Sequence, residues 1–536
     1  MRPSSSILAI LRRRLGTMST STTPTASSSS SHTQPPAAPP ARAQLLPSSS
    51  PTSLSTASSL LHAHLPVAFP TETVYGLGAS ALSSVAVKRI FEAKGRPADN
   101  PLIVHVGGRE MLESLLPRLP EADEGADKKG KGRAIGPINP MYEALMERFW
   151  PGPLSLVFSL STTPSSSSSD ASPLVPPRLA VAPEVTASLP SLCVRMPSHP
   201  LALSLIRHSN LPLAAPSANL SSRPSPTSAQ HVMADLGEGR GVGAVLDGGE
   251  CDVGVESTVV DYVPPADGES GEGRLRVLRA GGVSAEAIET CLRDAGFGAS
   301  TSEGGGSIQV YSRDFRSTEL EAKPTTPGMK YKHYAPGNSK VVLVRPNGNK
   351  GENEVMPSLQ DLVQLSALTQ GTEDGRPFRV GLMLTTETLA AVGSTRHPSS
   401  ASTATSDAAV PATPSCERIS LPPPPPSLFA QLAAGEESNL PPLSAIEIYA
   451  YPLGARAQPE QAAKRLFGGL RWLDALPRAG EDAVAEEKQE GKENGKEGVD
   501  LILVEAVPEE GVGLAVMERA RKAAGGGTGV EMEFRI

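Results

Sequence analysis

The sequence predicts an α/β protein with two folded blocks. A twisted mixed sheet with helices comes first, and a smaller, doubly wound parallel α/β domain follows. Three observations predict this. Short β-type runs alternate with segments of helical spacing. Polar, low-complexity tracts separate blocks that are richer in apolar residues. In the second block strands alternate with helices, which is the order of a parallel sheet.

Residues 1–53 read as a disordered or transit segment. No Asp or Glu occurs before Glu72, and Arg2, Arg12, Arg13 and Arg14 surround the apolar run Ile7–Leu11 in a Ser/Thr-rich context. An acid-free, Arg- and Ser-rich start fits a mitochondrial transit peptide, and it fits a plain tail equally well. Met18 offers a second start that removes the arginines. The expected address is therefore cytoplasmic, with a mitochondrial form where the first start is used.

The first block spans 54–298. Helical spacing marks Val85–Phe91, closed by Lys94–Gly95, together with Met141–Trp150, Pro200–His208 and Ser284–Ala295. Pro151-Gly152-Pro153 stops the second of these. Strands are expected at Leu102–Val106, Leu154–Leu160, Leu192–Arg195, Leu211–Ala215, Ala244–Leu246, Ser257–Tyr262 and Leu275–Leu278. Residues 299–338 form a linker. Within it, 327–336 (PGMKYKHYAP) is basic and aromatic, unlike the neighbouring tracts, and reads either as an ordered connection or as a lid over a ligand. The second block spans 339–536. Its strands fall at Val341–Val344, Arg379–Leu384, Ile446–Tyr451 and Leu501–Val504, with helices at Pro459–Leu476 and Gly513–Ala524.

Composition narrows the function. Fifty glycines and 52 prolines mean that the folded part is much shorter than 536 residues. A net charge of −8 argues against a whole-protein nucleic-acid binder, so any tRNA or RNA contact has to be weak and local. The four cysteines form no CxxC pair, which points away from zinc and disulfide frameworks. No apolar run is long enough for a membrane span.

Several short segments carry candidate chemistry. Thr71-Glu72-Thr73 and the glycines Gly76 and Gly78 allow a ligand to approach backbone. The loose dinucleotide pattern of Gly76, Gly78 and Ala81 is weak, because polar residues stand where a hydrophobic strand should run. Lys94 and Arg96 flank Gly95 between a helix and a strand. A point charge beside a planar fork suits a triphosphate, and an exposed basic turn is the alternative. His105 on its strand reads as a structural histidine or as a ligand contact. Arg195, ending an apolar run, reads as an anchor for a small carboxylate or as half of an internal salt bridge. Ser217 and Asn219 project from a turn of small residues that includes Ala215, and Ser225, Ser257 and Arg279 adjoin other turns and strands.

In combination, Pro70–His105, Ser191–Pro197, Pro-Ser-Ala-Asn at 216–219, Glu256–Asp261 and the 327–336 linker occur in one order. That order resembles the threonylcarbamoyl-AMP synthase family in its two-domain long form, built on a YrdC-like domain. The resemblance implies a nucleotidyltransferase that joins L-threonine, bicarbonate and ATP, releasing pyrophosphate. Its adenylate product would pass to a tRNA threonylcarbamoyl transferase complex. It implies Lys94, Arg96, Ser217 and Asn219 as the catalytic signature. ATP contacts would come from Arg96, Asn100, Ser191, Ser217, Ser225 and Arg279, with Tyr331 and His333 from the linker. Threonine contacts would come from Thr73, His105, Arg195, Ala215 and Ser257. No protein ligand set for a metal is expected, and Mg2+ would be held through the ATP phosphates. The competing reading is a double-stranded RNA or tRNA binding module without synthase activity. Carbamoyl transfer of the hydrogenase-maturation kind needs zinc-finger cysteines that this chain lacks.

Overall fold

Apolar runs punctuated by glycine and proline build two sheets. The computed structural model describes residues 40–118, 138–162, 174–265, 273–297, 308–311, 313–317, 334–347, 357–370, 376–393, 395–396, 417–422, 442–477, 498–525 and 532–535. The first sheet holds β1 (Gln44–Pro47), β2 (Val67–Phe69), β3 (Gly76–Ser80), β4 (Ile103–His105), β5 (Leu154–Ser159), β6 (Ser191–Arg195), β7 (Leu213–Ala214), β8 (Ala244–Asp247), β9 (Thr258–Val263), β10 (Arg274–Arg279) and β11 (Ile308–Val310). They run in the order β1-β8-β2-β3-β7-β4-β6-β5-β9-β10-β11. Parallel pairs such as β4–β6 alternate with antiparallel ones such as β2–β3, which is the expected mixed α/β sheet.

The second sheet is formed by β12 (Lys340–Asn347), β13 (Phe378–Met383), β14 (Thr395–Arg396), β15 (Glu417–Ser420), β16 (Ile446–Ala450), β17 (Leu501–Glu505) and β18 (Met532–Arg535). Their order is β14-β15-β16-β13-β17-β12-β18, with β16 through β18 mutually parallel.

Three differences from the sequence reading matter. Gln44–Pro47 lies inside the segment read as a tail, yet it pairs with Ala244–Asp247. No residue of this edge strand is buried, so it gives no apolar signal. Ile308–Val310 likewise adds a strand inside the segment read as linker. Gly76–Ser80 forms a fully buried strand absent from the expected strands, and the weak dinucleotide pattern falls on it. A side chain at 78 would strike the Phe69 ring at 2.5 Å, so the glycine answers to packing.

The two domains share a core. Val74, Val255, Ala280 and Tyr334 pack in one buried cluster with Leu466, Phe467 and Leu470 of the helix Pro459–Asp474. The rings of Tyr334 and Phe467 lie 5.0 Å apart. Asp474, ending that helix, accepts the backbone N–H groups of Gly337, Asn338 and Ser339 at 2.8, 2.7 and 2.9 Å. No helix among the described residues is long and apolar enough to cross a membrane.

Candidate active site

The site is assembled from strand ends and the turns that follow them. The helix Ser84–Lys94 starts at Ser83, whose hydroxyl caps the Ala86 N–H, and it stops at Gly95 with φ +59. That left-handed residue lets the chain turn sharply and presents Lys94 and Arg96 side by side. β4 and β6 run parallel in a register that sets His105 beside Arg195. The short strand β7 delivers Ala215 through Asn219, while β9 and β10 bring Ser257 and Arg279. Near β2, the Thr71 hydroxyl folds the 71–74 turn by hydrogen bonds to the Val74 carbonyl (2.6 Å) and the Thr73 hydroxyl (2.7 Å).

These elements enclose a cavity of about 260 Å³. Eleven of the fifteen sequence-derived candidates line it: Thr73, Lys94, Arg96, Asn100, His105, Arg195, Ala215, Ser217, Asn219, Ser257 and Arg279. Ser225 sits just behind the wall, fully buried, with its hydroxyl on Glu256 at 2.6 Å. Ser191 does not line the cavity. It begins β6, four residues before Arg195, about 13 Å along the strand at ~3.3 Å per residue. Tyr331 and His333 lie outside the described residues. Among the described linker residues, Tyr334 lines the cavity, in a left-handed conformation with φ 69. Glu256 also lines the cavity and escaped the sequence reading as a site residue, although its Glu-Ser-Thr run was singled out.

Charge is held tightly here. The buried Lys94 ammonium donates to the carbonyls of Ser217 and Asn219, each at 2.5 Å, tying the Pro-Ser-Ala-Asn turn to the helix end. Burial, reinforced by Arg96, pushes its pKa well below the usual lysine value. Arg195 makes the internal ion pair foreseen as one alternative. One guanidinium nitrogen donates to the Glu72 carboxylate and another to the Thr73 hydroxyl at 3.0 Å. Burial and Arg195 together drive His105 down to about 3, so its imidazole is neutral at pH 7. Arg279 donates to the Ser257 carbonyl and hydroxyl at 2.8 and 3.0 Å, and that hydroxyl lies 2.8 Å from the hydroxyl of Ser155.

The wall nevertheless leaves hydrogen-bonding capacity unmet. Asn100 Nδ2 and Oδ1, His105 Nδ1, Arg195 Nε and Asn219 Oδ1 are all buried and have no partner within the protein. Buried polar groups are nearly always paired. Five such atoms around one cavity are what a polar ligand would satisfy.

The chain can now be set beside known proteins. Residues 59–281 match the family model described as "Telomere recombination", and residues 283–525 match "Threonylcarbamoyl-AMP synthase, C-terminal domain". The threonylcarbamoyl-AMP synthase of Bacillus subtilis is 35% identical over 482 residues, covering 89% of this chain and 95% of its own length. The one from Pyrococcus abyssi is 34% identical, over 86% of this chain and 90% of its own. Among solved structures, P. abyssi Sua5 complexed with L-threonine superposes with a TM-score of 0.55 at 31% identity, over 92% of this chain and 99% of that one. The chain belongs to the threonylcarbamoyl-AMP synthase family.

Proposed function

We propose that this chain is an L-threonylcarbamoyladenylate synthase. It would form threonylcarbamoyl-AMP and pyrophosphate from L-threonine, bicarbonate and ATP, for threonylcarbamoyladenosine modification of tRNA next to the anticodon. The observation that carries this reading is the gathering of Lys94, Arg96, Arg195 and Arg279 around one cavity whose wall holds five unpartnered polar atoms. Relatives that carry the synthase name, and the P. abyssi neighbour complexed with L-threonine, support it.

In this reading the threonine amine bonds to the bicarbonate carbon with loss of water. An oxygen of the resulting carbamate then bonds the α-phosphorus, and the bond to the departing pyrophosphate breaks. No protein nucleophile takes part. Catalysis rests on holding three reactants in line and offsetting charge on the phosphates. Arg195, steadied by Glu72, offers its free Nε to the threonine carboxylate. Neutral His105 and Thr73 face the hydroxyl side. Lys94 fixes the Ser217–Asn219 turn with two of its three donors, leaving one for a phosphate. Arg96, Asn100 and Arg279 complete the nucleotide set.

Mg2+ belongs to the same proposal as a charge carried in on the phosphates. Glu72 and Glu256 are each engaged by an arginine, which suits an ion held through ATP and water rather than by a protein cage. Delivery of the adenylate to a tRNA threonylcarbamoyl transferase complex, and a cytoplasmic address with an additional mitochondrial form, complete the proposal.

Pyrophosphate release tests it. The full chain should release pyrophosphate from ATP only when threonine and bicarbonate are both present, and omission of either should abolish it. Salt-dependent RNA binding without threonine-dependent turnover would overturn the reading in favour of an RNA-binding module.

A further inference from the structure

Arg519 sits on the helix Gly513–Ala523 of the second domain, yet its side chain is buried against the first. Its Nε donates to Glu256 Oε2 at 2.9 Å, and its Nη1 donates to the Ala280 carbonyl at 2.5 Å and to the Ala515 carbonyl of its own helix at 3.2 Å. Both first-domain partners border the cavity. Glu256 lines it, and Ala280 directly follows the cavity residue Arg279.

Glu256 is the node of this contact. Its Oε1 accepts the Ser225 hydroxyl at 2.6 Å, its carboxylate also hydrogen-bonds the Tyr334 phenol, and the Arg279 charge lies close by. The surrounding backbone has no slack. A side chain at Gly281 would meet the backbone carbon of Ser257 at 2.3 Å, so residues 280–282 lie directly on 256–258. One arginine therefore holds both the carboxylate that faces Arg279 and the peptide beside Arg279.

We propose that Arg519 is a positioning residue for the nucleotide end of the cavity, through which the second domain sets the placement of Glu256, Arg279 and the linker residue Tyr334. This rests on the synthase reading for the naming of the nucleotide end. Arg519 does not line the cavity and need not touch ATP. Its effect passes through Glu256, which orders Ser225 and Arg279. The Glu72–Arg195–Thr73 group makes its side-chain ion pair and hydrogen bond without Arg519 or Glu256, and meets this region only through the backbone bonds of Val253 and Gly254 to the Glu72 and Thr73 carbonyls.

The test uses the full chain with Arg519→Met, which keeps the length and removes the charge, and Arg519→Lys, which keeps the charge. Calorimetric titration measures ATP and L-threonine separately, and pyrophosphate release gives KM for each. Arg519→Met should weaken ATP binding about tenfold, equivalent to about 1.4 kcal/mol, with a matching rise in the ATP KM. Threonine binding should stay within about twofold, since an intact threonine end leaves that free energy almost unchanged. Arg519→Lys should recover part of the ATP affinity. Unchanged ATP affinity in Arg519→Met overturns the proposal. So does a parallel loss of both ligands, which marks a merely structural arginine. Failure of the unaltered chain to release pyrophosphate defeats the synthase reading alone, because the ATP titration reads Arg519 directly. An unaltered chain that does not bind ATP overturns both.

Discussion

Each domain buries a carboxylate at the end of a strand or turn, and the two surroundings differ. In the second domain Glu505 ends β17 at the carboxyl edge of a doubly wound sheet, the edge where such folds bind ligands. There Glu505 accepts the Thr385 N–H at 2.7 Å, the Thr385 and Thr388 hydroxyls at 3.0 Å each, and Arg456 at 2.7 Å. Its capacity is filled from within. In the first domain Arg195 is paired with Glu72 yet keeps a buried Nε without a partner, as do His105, Asn100 and Asn219 at other atoms. A buried ion pair alone does not mark a site. Unmet capacity concentrated around a cavity does, and among the described residues five such atoms gather around the first-domain cavity.

Three substitutions press on this contrast. The largest effect is expected from Arg195→Ala, which strands Glu72 as an unpaired buried charge. Stability should fall by about 3–5 kcal/mol. Threonine KM should rise on the order of a hundredfold in whatever fraction stays folded. Thermal unfolding and pyrophosphate release measure the two parts, and an unchanged threonine KM would break the contrast. Next comes Arg456→Met in the second domain. Removing one partner of Glu505 should cost about 2 kcal/mol of stability, discounted for the partial exposure of Arg456, while both KM values stay at the level of the unaltered chain. A selective change in either KM would give the second crevice a role in the reaction.

The smallest effect concerns pH. Folding lowers the His105 pKa to about 3, against about 6.5 in an unfolded chain. Between those values the unfolded state binds the extra proton, so stability falls as the pH drops through that window. Urea unfolding of His105→Gln should show a shallower loss, by at most about 1.4 kcal/mol per pH unit near the middle of the window. Identical slopes would mean that His105 is not held neutral.

Much of the site was legible because its residues sit where a helix or short apolar strands stop. Lys94, Arg96, His105, Arg195 and the Ser217–Asn219 turn each end or follow a recognisable run, and the fold gathers them around one cavity. Ser191 is a carried-over position that lies outside the cavity lining. It shares a strand with Arg195 and lies at the far end of it. Arg519 was invisible for another reason. Its partner Glu256 is 263 residues away, and nothing local distinguishes it from the neighbouring Arg521, whose partner is the exposed-side Glu509. Edge strands such as Gln44–Pro47 were missed because they bury too little to leave a hydrophobic pattern.

The shared seam of Val74, Val255 and Ala280 against Leu466, Phe467 and Leu470 bears on any attempt to divide the molecule. Cutting between the domains would turn that seam into two sticky faces and leave the Glu256 carboxylate without its guanidinium. A single-domain protein with this cavity must therefore carry a different rim there, polar enough to stand in water and able to steady the same acid by itself.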